Sequence, residues 1–210
     1  PIRSQPVDST SPERWRRPEV LLLMMACAVP LSFATWQTLI DNFAIHRAAF
    51  TGAEIGMLQS LREVPGFLTF TVIFVLLIIR EQTLAVFSLA VLGAGVAVTG
   101  FFPSVYGLYF TTIIMSCGFH YFEAIKESLS LQWLTHEEAP CVLGRLISVG
   151  AVTSLISYAG LWVCLELLEL DYIWNFLISG GICLGLAVFM WRAFPHYPAK
   201  VEQHKQIILR

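Results

Sequence analysis

Six long apolar runs separated by short polar links are the feature that most constrains this chain. The runs cover residues 19–40, 54–79, 83–102, 106–129, 142–165 and 172–194. A helix needs roughly 20 apolar residues to cross the hydrocarbon core of a bilayer, and each run reaches that length. Because lipid offers no hydrogen bonds to the backbone, helices are favoured over open strands there. The sequence therefore predicts an all-α membrane protein with six transmembrane helices.

The composition agrees with a membrane protein. Of 210 residues, 56% are hydrophobic and only 13% are charged, too few to give a soluble domain its usual charged surface. The net charge of −2 gives no reason to expect a nucleic-acid partner. The five cysteines are odd in number and form no CxxC pair, so we interpret them as small apolar side chains.

Lysine and arginine are distributed unequally between the two ends of the predicted helices. One side collects the arginines of the polar tail 1–18, Arg80, Lys126, Arg145, Arg192 and the basic residues of the polar segment 195–210. The other side has only Arg47, in the predicted loop 42–53. Positive residues accumulate on the cytoplasmic side of membrane proteins. We therefore expect a multi-pass protein of the cell membrane with a cytoplasmic tail, a cytoplasmic linker after residue 194 and loop 42–53 outside.

Two charged residues and a predicted helix kink interrupt the second run. Arg62 and Glu63 precede Pro65-Gly66, and Arg62 would lie about 12 Å from the outer end of a helix that rises 1.5 Å per residue. One interpretation is that Arg62 faces a cavity and binds an anionic group, with Asp41 or Glu63 as its partner. The alternative is a structural ion pair, or an arginine that extends to the interface.

The fourth run contains the ionisable residues His120, Glu123 and Glu127, whose i, i+3 and i+7 spacing puts them on one helical face. Ionisable groups inside a membrane are costly unless they face a protein interior or a water-filled cavity. A carboxyl group whose surroundings alternate between wet and dry gains and loses a proton, so His120 and Glu123 are candidates for a proton pathway. The alternative is a satisfied polar core that contains a Glu123–Lys126 pair. Two ligands alone do not predict a metal site, and we expect no cofactor.

Trp36 and Gln37, in the first run, are candidate substrate contacts, with interfacial anchoring as the alternative for this pair. Small residues predict close helix contacts at Gly181 and Gly185 and at Gly93 and Ala97. No internal repeat is evident in the sequence.

Several classes of six-helix membrane protein lack support. There is no Asn-Pro-Ala pair of an aquaporin, no regular arginine series of a voltage sensor, and no Gly-x-Ser-Gly of a rhomboid-like protease. A Walker A lysine motif is also missing. We therefore do not expect an enzyme.

The link between the fourth and fifth runs carries a family resemblance. It reads Glu127-Ser128-Leu129-Ser130-Leu131-Gln132-Trp133, continues through Glu137-Glu138, and ends in Leu143-Gly144-Arg145-Leu146-Ile147-Ser148. This charged turn followed by Gly-Arg resembles the major facilitator superfamily of secondary transporters. The six runs, residues 19 to 194, resemble the N-terminal half of that fold. The family's basic motif between helices two and three is replaced here by Arg80-Glu81-Gln82.

The resemblance implies a secondary active transporter that works by alternating access on a small-molecule substrate. In the family, helices one, two, four and five line the central cavity, which is where Asp41, Arg62, Glu63, His120 and Glu123 fall. Proton coupling is the expectation from the ionisable residues, and a missing C-terminal six-helix half is the expected partner within the protein. A self-contained six-helix scaffold or intramembrane enzyme is the alternative.

Overall fold

The computed structural model describes residues 15–198, and the remaining parts of the predicted tail and linker lie outside this range. Within it the fold is helical, and no strand occurs among these residues. The α-helices are α1 (Pro18–Ala48), α2 (Gly52–Phe67), α3 (Val72–Leu76), α4 (Glu81–Thr99), α5 (Val105–Trp133), α6 (Ala139–Trp162) and α7 (Tyr172–Ala193). A 3₁₀ turn, Leu68–Thr71, joins α2 to α3, and a π-helical turn, Val163–Leu167, extends α6.

Four helical segments are long and apolar enough to cross a membrane: α1, α4, α6 with its π-helical turn, and α7. This agrees with a membrane protein and confirms the prediction of an all-α fold. The other two apolar runs are also helical but are not among these four. Helix α2 has only 16 residues, and α5, although 29 residues long, contains His120, Glu123, Lys126 and Glu127.

The first helix is longer than the sequence predicts, and the loop that follows is shorter. Helix α1 continues to Ala48 and ends at Ala49, whose φ of 54° lies in the left-handed region. Thr51 then caps α2 reciprocally with Glu54: the Thr51 amide donates to the Glu54 carboxylate at 2.7 Å, and the Glu54 amide donates to the Thr51 hydroxyl. The predicted loop 42–53 is therefore reduced to residues 49–51, and Asp41 lies within a helix.

The predicted kink of the second run is a break in the helix. Pro65 has no N–H, so it cannot donate to the carbonyl one turn earlier, and α2 ends two residues later at Phe67. Ser116 of α5 donates a hydrogen bond to the main-chain carbonyl of Arg62 within the same region. One side of the break is thus held against α5, while Phe67 on its other side is exposed.

Glycine allows α4 and α7 to approach closely. A Cβ added to Gly93 would lie 2.8 Å from the Gly180 carbonyl oxygen, so the two backbones meet at these residues. The sequence correctly selected Gly93 but selected the wrong residues of α7. Gly181 and Gly185 have no atom within 4 Å of an added Cβ, because they lie on another face of the helix.

The helix contacts follow a regular pattern. The most extensive pairings are α4–α5, α4–α7, α1–α6, α1–α7, α2–α5 and α1–α5. If the labels α1 and α5, α2 and α6, and α4 and α7 are exchanged in this list, the same six pairings result. The first three apolar runs therefore make nearly the same contacts as the last three, although their sequences show no repeat; one exception is a smaller α1–α4 contact that α5 and α7 do not match.

Candidate functional site

Helix α5 contributes to two groups of charged residues. The first, which we call the His120 cluster, consists of His120 with Arg62 and Glu63 of α2. The second, the Lys126 cluster, consists of Glu123, Lys126 and Glu127, all on α5. The sequence predicted His120 and Glu123 as one unit, whereas their ion pairs in the structure belong to separate clusters.

In the His120 cluster, Arg62 and Glu63 are directly paired. The Arg62 guanidinium donates to Glu63 Oε1 through Nε at 2.9 Å and through Nη2 at 2.7 Å. His120 Nε2 lies 3.9 Å from Glu63 Oε2, so a protonated imidazole would attract the same carboxylate. The side chain of Arg62 is 23% exposed and that of Glu63 is 59% exposed. The cluster is therefore at the edge of the bundle rather than in its packed core.

Gly66 positions the imidazole of His120. An added Cβ at Gly66 would lie 2.7 Å from His120 Cε1 and 3.0 Å from both ring nitrogens. The ring thus lies directly on the backbone of α2, one turn after Glu63. A further link between these segments is the hydrogen bond between the hydroxyls of Thr71 and Tyr121, at 2.5 Å.

Asp41 is not the partner of Arg62. Its carboxylate Oδ1 accepts a hydrogen bond from Gln59 Nε2 of α2 at 2.9 Å, one turn before Arg62. Of the two partners predicted for Arg62, the structure therefore selects Glu63. Asp41 instead joins α1 to α2.

In the Lys126 cluster, one ammonium group lies near two carboxylates. Lys126 Nζ donates to both oxygens of Glu123, at 2.8 and 2.7 Å, and lies 3.9 Å from Glu127 Oε1. The Lys126 side chain is 17% exposed, that of Glu123 36% and that of Glu127 66%. The Glu123–Lys126 pair, which the sequence offered as the alternative to a proton site, is confirmed as a contact.

A cavity of about 340 Å³ between α1, α5 and α6 opens onto the Lys126 cluster. Glu123, Lys126 and Glu127 form its wall on α5. The α1 wall includes Val29 and Pro30, so the proline inside α1 lies at this cavity. The ionisable groups of α5 thus face a partly open cavity rather than the packed interior.

Aromatic side chains separate α1 from the His120 cluster. Phe33 of α1 stacks on Phe119 at 4.2 Å between ring centroids, and Phe119 contacts the His120 ring edge-on at 5.1 Å. Trp36 is fully buried behind Phe33, with its ring centroid 6.2 Å away. Gln37 is exposed. One candidate substrate contact is therefore buried and the other exposed, and their role stays a prediction.

The structure adds residues that sequence reasoning did not select. Gly66 and Ser116 belong to the site through contacts between α2 and α5, and no local pattern indicates such contacts. The sequence does indicate Lys126, as the alternative partner of Glu123, and Glu127, as a residue on the same helical face, because they follow Glu123 at the spacing at which helical side chains meet.

Side chains of the short link Arg80-Glu81-Gln82 also form hydrogen bonds to neighbouring segments. Glu81 accepts hydrogen bonds from Ser128, at 3.0 Å, and from Gln132 of α5. Gln82 donates to the Pro195 carbonyl at 2.8 Å and accepts from the Tyr197 amide at 3.0 Å. Burial raises the pKa of the Tyr197 phenol. This link thus connects α4 to the ends of α5 and α7.

No group of three or more metal-binding side chains occurs among residues 15–198. The site consists of an imidazole beside an Arg–Glu pair and of an ammonium group and two carboxylates beside a cavity. A comparison with protein-family models, curated proteins and solved structures gave no match.

Proposed function

We propose that this chain is the N-terminal half of a proton-coupled secondary transporter that moves a small solute by alternating access. Its six apolar runs would all cross the cell membrane, with both ends in the cytoplasm. In this proposal the fold is one half of a bundle of the major facilitator type, and a second six-helix half completes the substrate pathway.

The observation that carries the proposal is the exchange pattern of the helix contacts. The pairings α1–α6 and α5–α2 correspond to each other, as do α1–α7 and α5–α4. Each set, α1, α2 and α4 or α5, α6 and α7, consists of three apolar runs that would cross the membrane in alternating directions. Because three is an odd number, the second set would begin on the opposite side of the membrane and would be inverted relative to the first. Nested inverted repeats of three helices are the plan of each six-helix half in major facilitator transporters.

Exposed apolar side chains support a second half. Helix α6 exposes Ile147 by 75% and Leu155 by 68%, and Phe67 at the end of α2 is exposed by 83%. Apolar surface of this kind is covered by lipid or by other helices. Because α2 and α6 are equivalent in the exchange pattern, a partner of similar construction could pack against both.

The charged residues support proton coupling. Glu123 is half-buried, lies at a cavity and is neutralised by a single lysine, so a change in hydration alters its tendency to bind a proton. Each unit of difference in pKa between two conformations corresponds to about 1.4 kcal/mol of coupling. The His120 cluster would respond to the same change, because its ion pairs join α2 to α5.

Reconstitution of the full-length product of the gene tests this function. Liposomes that contain a pH-sensitive dye would be exposed in turn to amines, carboxylates, sugars and amino acids, and we expect proton movement with one class. Glu123→Gln should abolish this movement, whereas Glu137→Gln, on the exposed link before α6, should not. Equal solute accumulation by wild type and Glu123→Gln under a pH gradient would remove Glu123 from the coupling.

Accessibility labelling tests the orientation. In a variant without the five natural cysteines, a cysteine at Ala53 should react with an impermeant reagent added outside, and one at His136 only after the cells are opened. The reverse labelling pattern would invert the proposed topology.

A further inference from the structure

The two carboxylates of the Lys126 cluster do not share the lysine equally. Lys126 Nζ is at hydrogen-bond distance from both oxygens of Glu123, but its 3.9 Å distance from Glu127 is too long for a hydrogen bond. The lysine is thus committed to Glu123. One ammonium and two carboxylates leave a net charge of −1, and Glu127, which has only the longer contact with the lysine, is the less neutralised of the two carboxylates.

The remaining walls of the cavity provide no counter-charge. They consist of Met25, Ala26, Val29 and Pro30 of α1 and of Leu143, Leu146, Ile147, Gly150, Ala151 and Ser154 of α6. The Ser154 hydroxyl donates to the Gly150 carbonyl of its own helix. Titratable groups that contact neighbouring parts of α5 include Glu81, held by Ser128 and Gln132, and Glu63, which lies near His120.

We propose that this cavity binds a small amphipathic primary amine, the ammonium group of which pairs with Glu127 while its apolar part lies against α1 and α6. The inference rests on the proposed transport function, because the amine would be the transported solute. A cavity of about 340 Å³ is near the lower end of the range for ligand sites, which suits a small molecule. No aromatic ring lines the cavity, so an N–H donor is favoured over a quaternary ammonium ion, which aromatic faces recognise.

The shared lysine makes amine and proton binding mutually exclusive. When Glu123 takes a proton from water, Lys126 loses its ionic partner and moves to Glu127, from which it displaces the amine. With the amine bound, two carboxylates face two ammonium groups; with the proton bound, one carboxylate faces one ammonium group. The site is neutral in both states, so one proton enters for each ammonium ion that leaves, without net charge movement.

Equilibrium binding of radiolabelled hexylamine to the full-length protein in lipid nanodiscs tests the inference, with empty nanodiscs as background. Glu127→Gln should weaken binding at least tenfold, and Glu137→Gln should leave it unchanged. Hexanol and hexanoate should not compete, and hexyltrimethylammonium should compete more weakly than hexylamine. Undiminished binding to Glu127→Gln, or competition by hexanoate, would overturn the assignment.

A double variant tests the role of the lysine. Glu123→Gln imitates the protonated carboxyl group and should weaken hexylamine binding at least tenfold, because Lys126 then pairs with Glu127. Adding Lys126→Gln should restore binding to within threefold of wild type, since Glu127 is free again. A purely structural role for these residues predicts no restoration, and that result would overturn the exchange.

Lys126→Gln alone provides a second test of the inference. If Glu123→Gln does not fold, Lys126→Gln alone should bind hexylamine at least as tightly as wild type, and loss of binding would contradict the inference. Because binding is measured without a gradient, it is independent of transport. Proton-coupled transport of another solute class without hexylamine binding would overturn this inference alone, whereas hexylamine binding without any proton movement would overturn the proposed transporter.

Discussion

Helices α4 and α6 have similar hydropathy but opposite surroundings. In the most apolar stretch of α4, 67% of the residues are buried, whereas for α6 with its π-helical turn the fraction is 22%. Helix α4 packs between α5 and α7, and α6 packs mainly against α1. Hydropathy therefore identifies helices that suit a membrane but does not distinguish a helix at the centre of a bundle from one at its edge. The contrast also predicts where substitutions will destabilise the fold and where they will change only function.

The largest effect should come from Gly180→Ala, at the contact between α4 and α7. The new methyl group would meet the backbone of Gly93 and Ala97, which cannot move without separating the helices. Overpacking of this kind costs about 1–3 kcal/mol, and we expect the upper end of that range in the free energy of unfolding. Unfolding in mixed micelles measures it. Gly181→Ala, which meets nothing within 4 Å, is the matched control, and an equal loss in both variants would contradict the close contact.

Leu92→Ala should have the next largest effect. Leu92 is fully buried on α4, and its truncation leaves a cavity between helices. In lipid the loss is mainly one of packing, and we expect about 2 kcal/mol. Ile147→Ala, on the exposed face of α6, should change the free energy of unfolding of the 210-residue chain by less than about 0.5 kcal/mol. A large effect of Ile147→Ala would mean that the face of α6 is covered within this chain.

The same contrast explains which parts of the fold could be predicted from the sequence. Each apolar run is helical. Length and hydropathy are local properties of the sequence, and in lipid a long apolar segment favours a helix. The boundaries were less predictable. Loop 42–53 looked polar enough to interrupt α1, yet Ala44 and Phe43 are buried against the bundle and keep the helix intact to Ala48. Tertiary packing thus overrode a local polarity signal.

The candidate site was predictable only where its contacts are local. The Glu123–Lys126 pair follows from i, i+3 spacing on one helix. The approach of His120 to Glu63 joins residues of different helices, and it depends on Gly66 leaving room for the ring. The glycine pattern likewise could not show which face of α7 meets α4. These contacts depend on how each helix is rotated, and apolar residues on all sides of a helix leave that rotation unspecified.

Gly66→Ala tests the His120 cluster and should have a moderate effect. The added methyl group would overlap the imidazole, which can rotate away because it ends a flexible side chain. We expect a loss of about 1 kcal/mol in the free energy of unfolding. Gly56→Ala in the same helix meets no atom within 4 Å and should be neutral or slightly stabilising. If both variants are equally stable, His120 does not lie on the backbone of α2.

Arg62→Ala should have the smallest effect on stability and a large one on function. The partner of Arg62, Glu63, is 59% exposed, and exposed ion pairs contribute about 0.2–1 kcal/mol. We therefore expect nearly normal insertion and a free energy of unfolding within about 0.5 kcal/mol of wild type. Solute uptake by the full-length protein should fall strongly, because Glu63 would lose the cation that holds it and would be left to His120 alone.

Uptake and unfolding measured on the same preparation separate the two effects. Normal uptake by a well-inserted Arg62→Ala protein would reduce Arg62 to a structural role. If the variant instead loses stability and Glu63→Gln restores it, Arg62 and Glu63 form a structural ion pair, and the distinction between a packed centre and a functional edge does not extend to α2.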